Sequence, residues 1–273
     1  MLPDNVNVTV EALCSALTKR LGDRLQNVYL YGSVALGDYI EGSSDIDFLA
    51  VVDQPLSGSE IKVVAAAHDE VEQSLPGTNM MGAYLLRSEL GQSLHDTSSV
   101  VTYFEKRLRT DGTGADLNPV TWWVLKHHGI RVYGPEVLLT YEIAEDTMTD
   151  YVIGNMNTYW TDWIGRLEQH ARTSGPSGPQ LKPAELDFAV EWCVLGMLRQ
   201  LYTIRERKVT SKTEAGRYGL ELLHARWHGL IREAIAIKRL QPERTYDSQL
   251  HRLNELIELL RLIHADSNRA YSG

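Results

Sequence analysis

Apolar residues recur at helical spacing near the start of the chain, at Val8, Leu13, Leu17 and Leu21, and Gly22 follows, so the pattern predicts an opening helix over about 8–25. The period then shortens. Val28-Tyr29-Leu30-Tyr31 and Phe48-Leu49-Ala50-Val51-Val52 are short β-branched or aromatic runs bounded by turn residues, the mark of buried strands. A short helical stretch and the turn Glu41-Gly42-Ser43-Ser44 separate them. Ser57 to Leu75 returns to helical spacing with an alanine-rich face suited to packing on a sheet, and Ser59 is the expected cap. A third strand over Asn79–Leu86, a loop to Asn118, and a helix and strand ending at Gly134 complete a region of mixed strands and helices with a small sheet.

Beyond Glu136 the strand signals vanish. Asp150 to Ala171 reads as a helix whose Tyr151, Tyr159, Trp160 and Trp163 are packing residues. Thr173-Ser174-Gly175-Pro176-Ser177-Gly178-Pro179 is the clearest break in the chain and joins two helices within one domain. Further helices are predicted over about 183–207, 214–222, 230–237 and 248–265, and the polar tail after Asp266 is expected to fray. The fold class implied is α+β, with the sheet in residues 1–145 and an all-α helical bundle in 146–273.

The chemistry gathers in one segment. Gly32-Ser33 closes the first strand, and after eleven residues Asp45-Ile46-Asp47 opens the second. Residues two apart on a strand share a face, so both carboxylates point one way while Ile46 points into the core. Such a pair repels itself unless a hard cation intervenes, and Mg²⁺, which keeps its waters and takes one or two carboxylates plus phosphate oxygens, suits it. Gly32 allows close backbone approach and Ser33 can hold phosphate oxygens. Taken singly, an Asp-x-Asp is a solvated strand start and a Gly-Ser is a turn. The fixed interval between two strands joins them into a site for phosphate transfer.

The run from Leu30-Tyr31-Gly32-Ser33 to Ser44-Asp45-Ile46-Asp47 resembles the signature of the polymerase-β-like nucleotidyltransferases. Within them, the length and the C-terminal half are similar to the aminoglycoside adenylyltransferases that modify streptomycin and spectinomycin. The resemblance implies an N-terminal nucleotidyltransferase domain and a C-terminal helical domain, with ATP and the antibiotic bound between them. Asp45 and Asp47 would be the catalytic, metal-holding pair, and Gly32 and Ser33 would cradle phosphates. The stretch from Trp122 to Glu136 is similar to the family's helix, short strand and Gly-Pro turn that close the first domain. Arg199 and Lys212 match in type and separation a helix arginine and a loop lysine that contact the ATP phosphates. Arg199 also lies in an otherwise apolar helix, Phe188 to Leu201, where an unpaired guanidinium is costly and an anion is expected. Lys238 falls near a tyrosine that contacts nucleotide in the family, and a surface charge or helix salt bridge is the simpler reading of it. Glu185 and Asp187 approximate the family's drug-binding acids, with Glu191 beyond them and Trp192 as a flat surface for a sugar ring. Acids in a first helical turn also complement the macrodipole without any ligand.

One departure stands out. The family carries a glutamate general base on the strand after the Asp-x-Asp hairpin, and Asn79–Leu86 holds no acid, the expected position falling near Gly82. Glu89 from the strand end, or Asp69, Glu70 or Glu72 from the preceding helix, are the substitutes the sequence offers. Without any, turnover falls by roughly 10² to 10⁴.

Composition narrows the partners. A net charge of −9 argues against a nucleic-acid partner and suits a cationic small molecule. Cys14 and Cys193 lie in apolar helical surroundings without metal spacing and read as buried thiols of a cytoplasmic protein; no signal pattern or membrane-spanning run is found. His127 and His128 point about 100° apart on a helix and share no ion. The expectation is an Mg²⁺-dependent adenylyltransferase, monomeric, that moves AMP from ATP to a hydroxyl of an aminoglycoside and so confers antibiotic resistance. The alternatives are a nucleotide or aminoglycoside binder with weakened turnover, and a nucleotidyltransferase with a protein acceptor.

Overall fold

Alternation along the strands decides which side of the sheet each residue of the N-terminal region meets. The computed structural model describes all residues except 94–96, 98, 174–180, 242 and 244, and it divides into two units, Met1–Ile143 and Ala144–Gly273. In the first, β1 (Leu25–Leu30), β2 (Ile46–Val52), β3 (Met80–Leu86), β4 (Val101–Phe104), β5 (Arg107–Arg109) and β6 (Ile130–Tyr133) form one mixed sheet in the order β5-β4-β3-β2-β1-β6. β2 runs parallel to β3 and antiparallel to β1.

Val28, Leu30, Ile46, Phe48, Ala50, Val52 and Tyr84 share one face. They join a single apolar cluster with Val6, Leu13 and Leu17 of α1 (Asp4–Leu21) and Val64, Ala67 and Val71 of α3 (Gly58–Ser74). Each such side chain contributes about 1.5–3 kcal/mol on burial, which fastens this helical layer to the sheet. The cap of α3 is Ser57, not Ser59. Its hydroxyl accepts the Glu60 N–H, and the Glu60 carboxylate accepts the Ser57 N–H at 2.8 Å, a reciprocal pairing that Ser59 is too far into the helix to make.

The opposite face carries Asp47, Leu49 and Val51 of β2, Tyr29 of β1, and Met81 and Ala83 of β3. The short helix α2 (Gly32–Ala35) packs on β2 and on α4 (Pro119–His128). Toward the far end of this face from Asp47, a cavity of about 240 Å³ is lined by Asn27, Tyr29, Val51, Arg87 and Leu139. The β4–β5 hairpin lies where a loop is predicted. Its turn residues Glu105 and Lys106 both take left-handed φ, 47° and 60°, a conformation usually announced by Asn-Gly or Asp-Gly, so the sequence carried no turn signal.

In the second unit α5 (Glu145–Asn155) runs into α6 (Thr161–Thr173) through a π-helical turn, Met156–Trp160. Likewise α7 (Pro183–Ala189) runs into α8 (Gly196–Glu206) through Val190–Leu195. The wide turns meet at Trp160 and Gly196, where an added Cβ would lie 2.4 Å from the indole. The helices α9 (Lys212–Leu222), α10 (His228–Lys238) and α11 (Gln249–Ser272) complete the bundle around Val194, Leu198, Leu230, Leu256 and Leu260, all fully buried. The C-terminal tail is helical to Ser272, because the Tyr271 hydroxyl donates to Asp150 at 2.6 Å and Asn268 donates to Asn157 at 2.9 Å. The break predicted at 173–179 lies, apart from Thr173, outside the described residues. No described helix is long and apolar enough to cross a membrane.

Candidate active site

The first unit builds its site where β1 ends and β2 begins. Tyr31 N–H donates to the Asp47 carbonyl at 3.1 Å, the last link between the strands before the chain turns into α2. Gly32 then adopts φ +59°, and a Cβ placed on it would sit 1.9 Å from Asp47 Oδ2. Only glycine leaves room for that carboxylate against the main chain. Ser33 follows with a buried hydroxyl that has no hydrogen-bond partner among the described residues. Ile46 is buried against the helical layer, Asp47 is half-buried on the other face, and Asp45 is exposed at the entrance to the strand. Asp45 is an electrostatic neighbour of Tyr39. The Tyr31 phenol, wholly buried, keeps its proton well above the ordinary range, first through burial and then through Asp47 and Asp116.

Every donor in this cradle is oxygen, which suits a hard cation such as Mg²⁺ and not Zn²⁺. Among the described residues no three His, Cys, Asp or Glu side chains gather to hold a metal. A cation held beside Asp45 and Asp47 would need the rest of its shell from water and ligand oxygens, which Mg²⁺ commonly accepts.

Strand register resolves the third carboxylate. Asp47 pairs with Met81, and Gly82 pairs with Phe48, so Gly82 belongs to the face away from Asp47; a Cβ there would meet the Phe48 carbonyl at 2.3 Å. The position level with Asp47 on its own face is Met81, which has no acid. None of the four substitutes serves. Glu89 lies beyond the C-terminal end of β3, past five strand steps of about 3.3 Å from Met81. It is buried and accepts from Leu86 N–H at 2.8 Å and Ser99 Oγ at 2.9 Å. Asp69, Glu70 and Glu72 ride on α3, across the sheet from Asp47. Glu70 is paired with Arg20, and Glu72 accepts from the Tyr103 hydroxyl at 2.7 Å and from Lys106 at 2.8 Å.

The second unit assembles charge on helices distant in sequence. Lys212, at the start of α9, donates to Glu191 at 2.9 Å and lies 4.4 Å from the centre of the Trp192 ring. Burial holds its proton affinity down. Glu191 offsets this, and Arg199 and Lys238 press in the same direction as burial. Arg199 and Lys238 are thus neighbours of Lys212. Lys238 is buried, which overturns the surface-charge reading of it but not the salt-bridge one. Trp192 stacks on Phe188 at 5.8 Å with an angle of 15° and donates through Nε1 to the Tyr159 hydroxyl, while Phe188 is 52% exposed.

The two acids expected to meet a cationic acceptor differ. Glu185 is exposed and its carboxylate accepts the Lys182 N–H at 2.9 Å, as a first-turn acid does. Asp187 accepts from Arg252 Nη1 at 2.7 Å, and Arg252 Nε reaches Glu233 at 2.9 Å. One guanidinium is shared by the two carboxylates, and Asp187 is the less buried of them, at 20% against 0% for Glu233. Cys14 and Cys193 are free and buried, their thiols pushed up to about 11 and about 12 by burial, so neither is a nucleophile near neutral pH. His127 and His128 end α4 and pack on Trp123.

Sequence reasoning passed over Tyr31 as a strand residue, and it passed over Asp116, which no motif marks; the nearby Asn118-Pro119 was legible only as a helix start. It also missed that Glu191 pairs with Lys212, a contact across 21 positions that no helical spacing reveals.

Two family models match different parts of the chain. Residues 13–80 match the nucleotidyltransferase domain, and residues 182–261 match the aminoglycoside adenylyltransferase C-terminal domain. Among solved structures, the chain is similar to the spectinomycin adenyltransferase AAD(9) from Enterococcus faecialis, determined with ATP and spectinomycin. The likeness has a TM-score of 0.62 at 16% identity, over 93% of this chain and 98% of that one. The first match holds Gly32, Ser33, Asp45 and Asp47, and the second holds Glu185, Asp187, Arg199, Lys212 and Lys238.

Proposed function

We propose that this chain, an aminoglycoside nucleotidyltransferase by its two matched domains, transfers AMP from ATP to a hydroxyl of a cationic aminoglycoside-type antibiotic. The observation that carries the reading is the fit of the Asp47 carboxylate into the space Gly32 leaves, with the Ser33 hydroxyl, next in the chain, lacking a partner among the described residues. That arrangement would offer a carboxylate and an unsatisfied hydroxyl to a metal-bound triphosphate, with Asp45 at the strand entrance as the second carboxylate.

In this mechanism Asp45 and Asp47 would hold Mg²⁺. The ion, when bound, supplies charge neutralisation on the triphosphate and lowers the pKa of the attacking hydroxyl. Gly32 keeps the main chain clear of the Asp47 carboxylate, and Ser33 donates to a phosphate oxygen. Arg199 and Lys212 would bind phosphate oxygens, with Glu191 holding the Lys212 ammonium in place. Glu185 and Asp187 would face the ammonium groups of the acceptor, and the exposed Phe188, stacked on the half-buried Trp192, would give a sugar ring an apolar surface.

The test incubates the protein with ATP, Mg²⁺ and a panel containing spectinomycin and streptomycin, and weighs the products. A mass gain of one AMP on a drug, with pyrophosphate released, is the expected result; folded protein that modifies none of the panel defeats the antibiotic reading. A second reading, a binder of nucleotide or aminoglycoside with weakened turnover, is favoured by Met81 standing where an acid would face Asp47. Calorimetry distinguishes it, since tight binding of ATP and drug without pyrophosphate release supports the binder.

A further inference from the structure

The proton of the acceptor hydroxyl needs a destination, and β3 provides none. Four candidate acids are removed by strand register and by the side of the sheet they occupy. A different acid approaches the Asp47 face from a loop. Asp116 lies between β5 and α4, two residues ahead of Asn118. The Asn118 side chain donates to Asp116 through Nδ2 and, through Oδ1, accepts the Val120 and Thr121 N–H groups at 2.9 and 3.2 Å, so it ties the acid to the first turn of α4. That helix packs against α2, the element that carries Gly32 and Ser33. After burial, the charges of Asp47 and Asp116 both raise the proton affinity of the buried Tyr31 phenol, in keeping with the packing of α4 on α2.

We propose that Asp116 is the general base of the transfer, taking over from the loop the task that the strand position Met81 does not perform. The assignment rests on the adenylyl-transfer reading above. The acceptor oxygen attacks the α-phosphorus as its proton passes to the Asp116 carboxylate. The new O–P bond forms while the bond from the α-phosphorus to the bridging oxygen breaks, and pyrophosphate leaves with that electron pair. Asp116 is exposed, so the proton then passes to water and the carboxylate is restored.

The experiment uses the full chain with ATP, Mg²⁺ and whichever of spectinomycin or streptomycin the wild type modifies, and compares Asp116→Asn, Asp116→Glu and the double variant Asp116→Asn/Met81→Glu. ATP affinity is measured alongside by calorimetry. Asp116→Asn is expected to lower kcat by roughly 10² to 10⁴ while ATP affinity stays within about twofold. Asp116→Glu is expected to keep a substantial part of the rate. Met81→Glu, which puts an acid level with Asp47, is expected to raise the rate of the Asp116→Asn protein at least about tenfold. A tether with only a structural role would not respond to Met81→Glu. The assignment is overturned if Asp116→Asn keeps kcat within about threefold of wild type, if its loss is matched by an equal loss of ATP affinity, or if Met81→Glu brings no gain. An inactive wild type sinks the antibiotic reading, whereas an active wild type with an equally active Asp116→Asn sinks this assignment alone.

Discussion

Around Asp47 the geometry is set by main chain, whereas around Lys212 it is set by side chains. The first site depends on a strand that alternates, a glycine at φ +59° and a carboxylate resting where a Cβ would be. The second depends on Glu191, Trp192, Arg199, Lys212 and Lys238 arriving from three helices and balancing one another's charge. A backbone-defined site tolerates almost no change at its few positions and leaves a compact trace in sequence. A site defined by helix packing spreads its tolerance over many contacts and leaves a diffuse one.

The largest effect that would sharpen this contrast is at the first site. Asp47→Asn is expected to cut AMP transfer by at least roughly 10³-fold, about 4 kcal/mol of barrier, with an unchanged melting temperature. Full activity in that variant would show that the carboxylate pair is misassigned. In the second unit the largest effect should be on folding. Arg252→Met strands the wholly buried Glu233 and is expected to cost about 3–5 kcal/mol in urea unfolding. A smaller loss would mean that the ion-paired trio is better solvated than its burial indicates.

Glycine substitutions compare the two regions directly. Gly32→Ala forces a left-handed alanine, costing about 1–2 kcal/mol, and displaces Asp47, so stability and transfer should fall together. Gly219→Ala in α9 meets the end of the Leu198 side chain at 2.7 Å, a flexible neighbour and not main chain, and gains helix propensity; its stability should stay within about 1 kcal/mol of wild type. If the two variants behaved alike, the distinction between main-chain and side-chain control would collapse.

The remaining effect depends on pH and concerns the layer beneath the first site. His68 is buried between α3 and the sheet, stacked 3.6 Å from Tyr103 and hydrogen-bonded to Tyr84 at 2.7 Å, and burial lowers its pKa to about 3. The unfolded chain binds that proton near pH 6.5. Its contribution to stability is therefore complete above about pH 6.5 and declines as pH falls toward 3, by up to about 1.4 kcal/mol per pH unit. Unfolding measured between pH 7 and 4.5 should show this slope in the wild type and lose that share of it in His68→Phe.

The same contrast explains what could be read from residues alone. β1, β2 and β3 were legible because buried strands need apolar runs, and Gly32, Ser33, Asp45 and Asp47 were legible because a strand-turn-strand fixes their interval. The Glu105-Lys106 hairpin was invisible because its turn uses residues that carry no turn preference. The level of Asp47 on β3 could be placed only near Gly82, because a shift of one residue reverses the face and only pairing with β2 reveals that Met81 stands opposite. In the second unit the helices were legible from their period. That Lys238 is buried, and that Asp187 shares Arg252 with Glu233, depended on contacts between segments far apart in the chain.

The widened turn at Val190–Leu195 makes length itself a functional variable in this bundle. An α-helix advances about 100° per residue, so excising one amino acid there would let the coil tighten to its regular winding. Everything downstream would swing by about a quarter-turn against α7, carrying Arg199 to another azimuth while Glu185 stayed put. A single deletion would thus turn the later helices against α7 while every remaining side chain kept its identity.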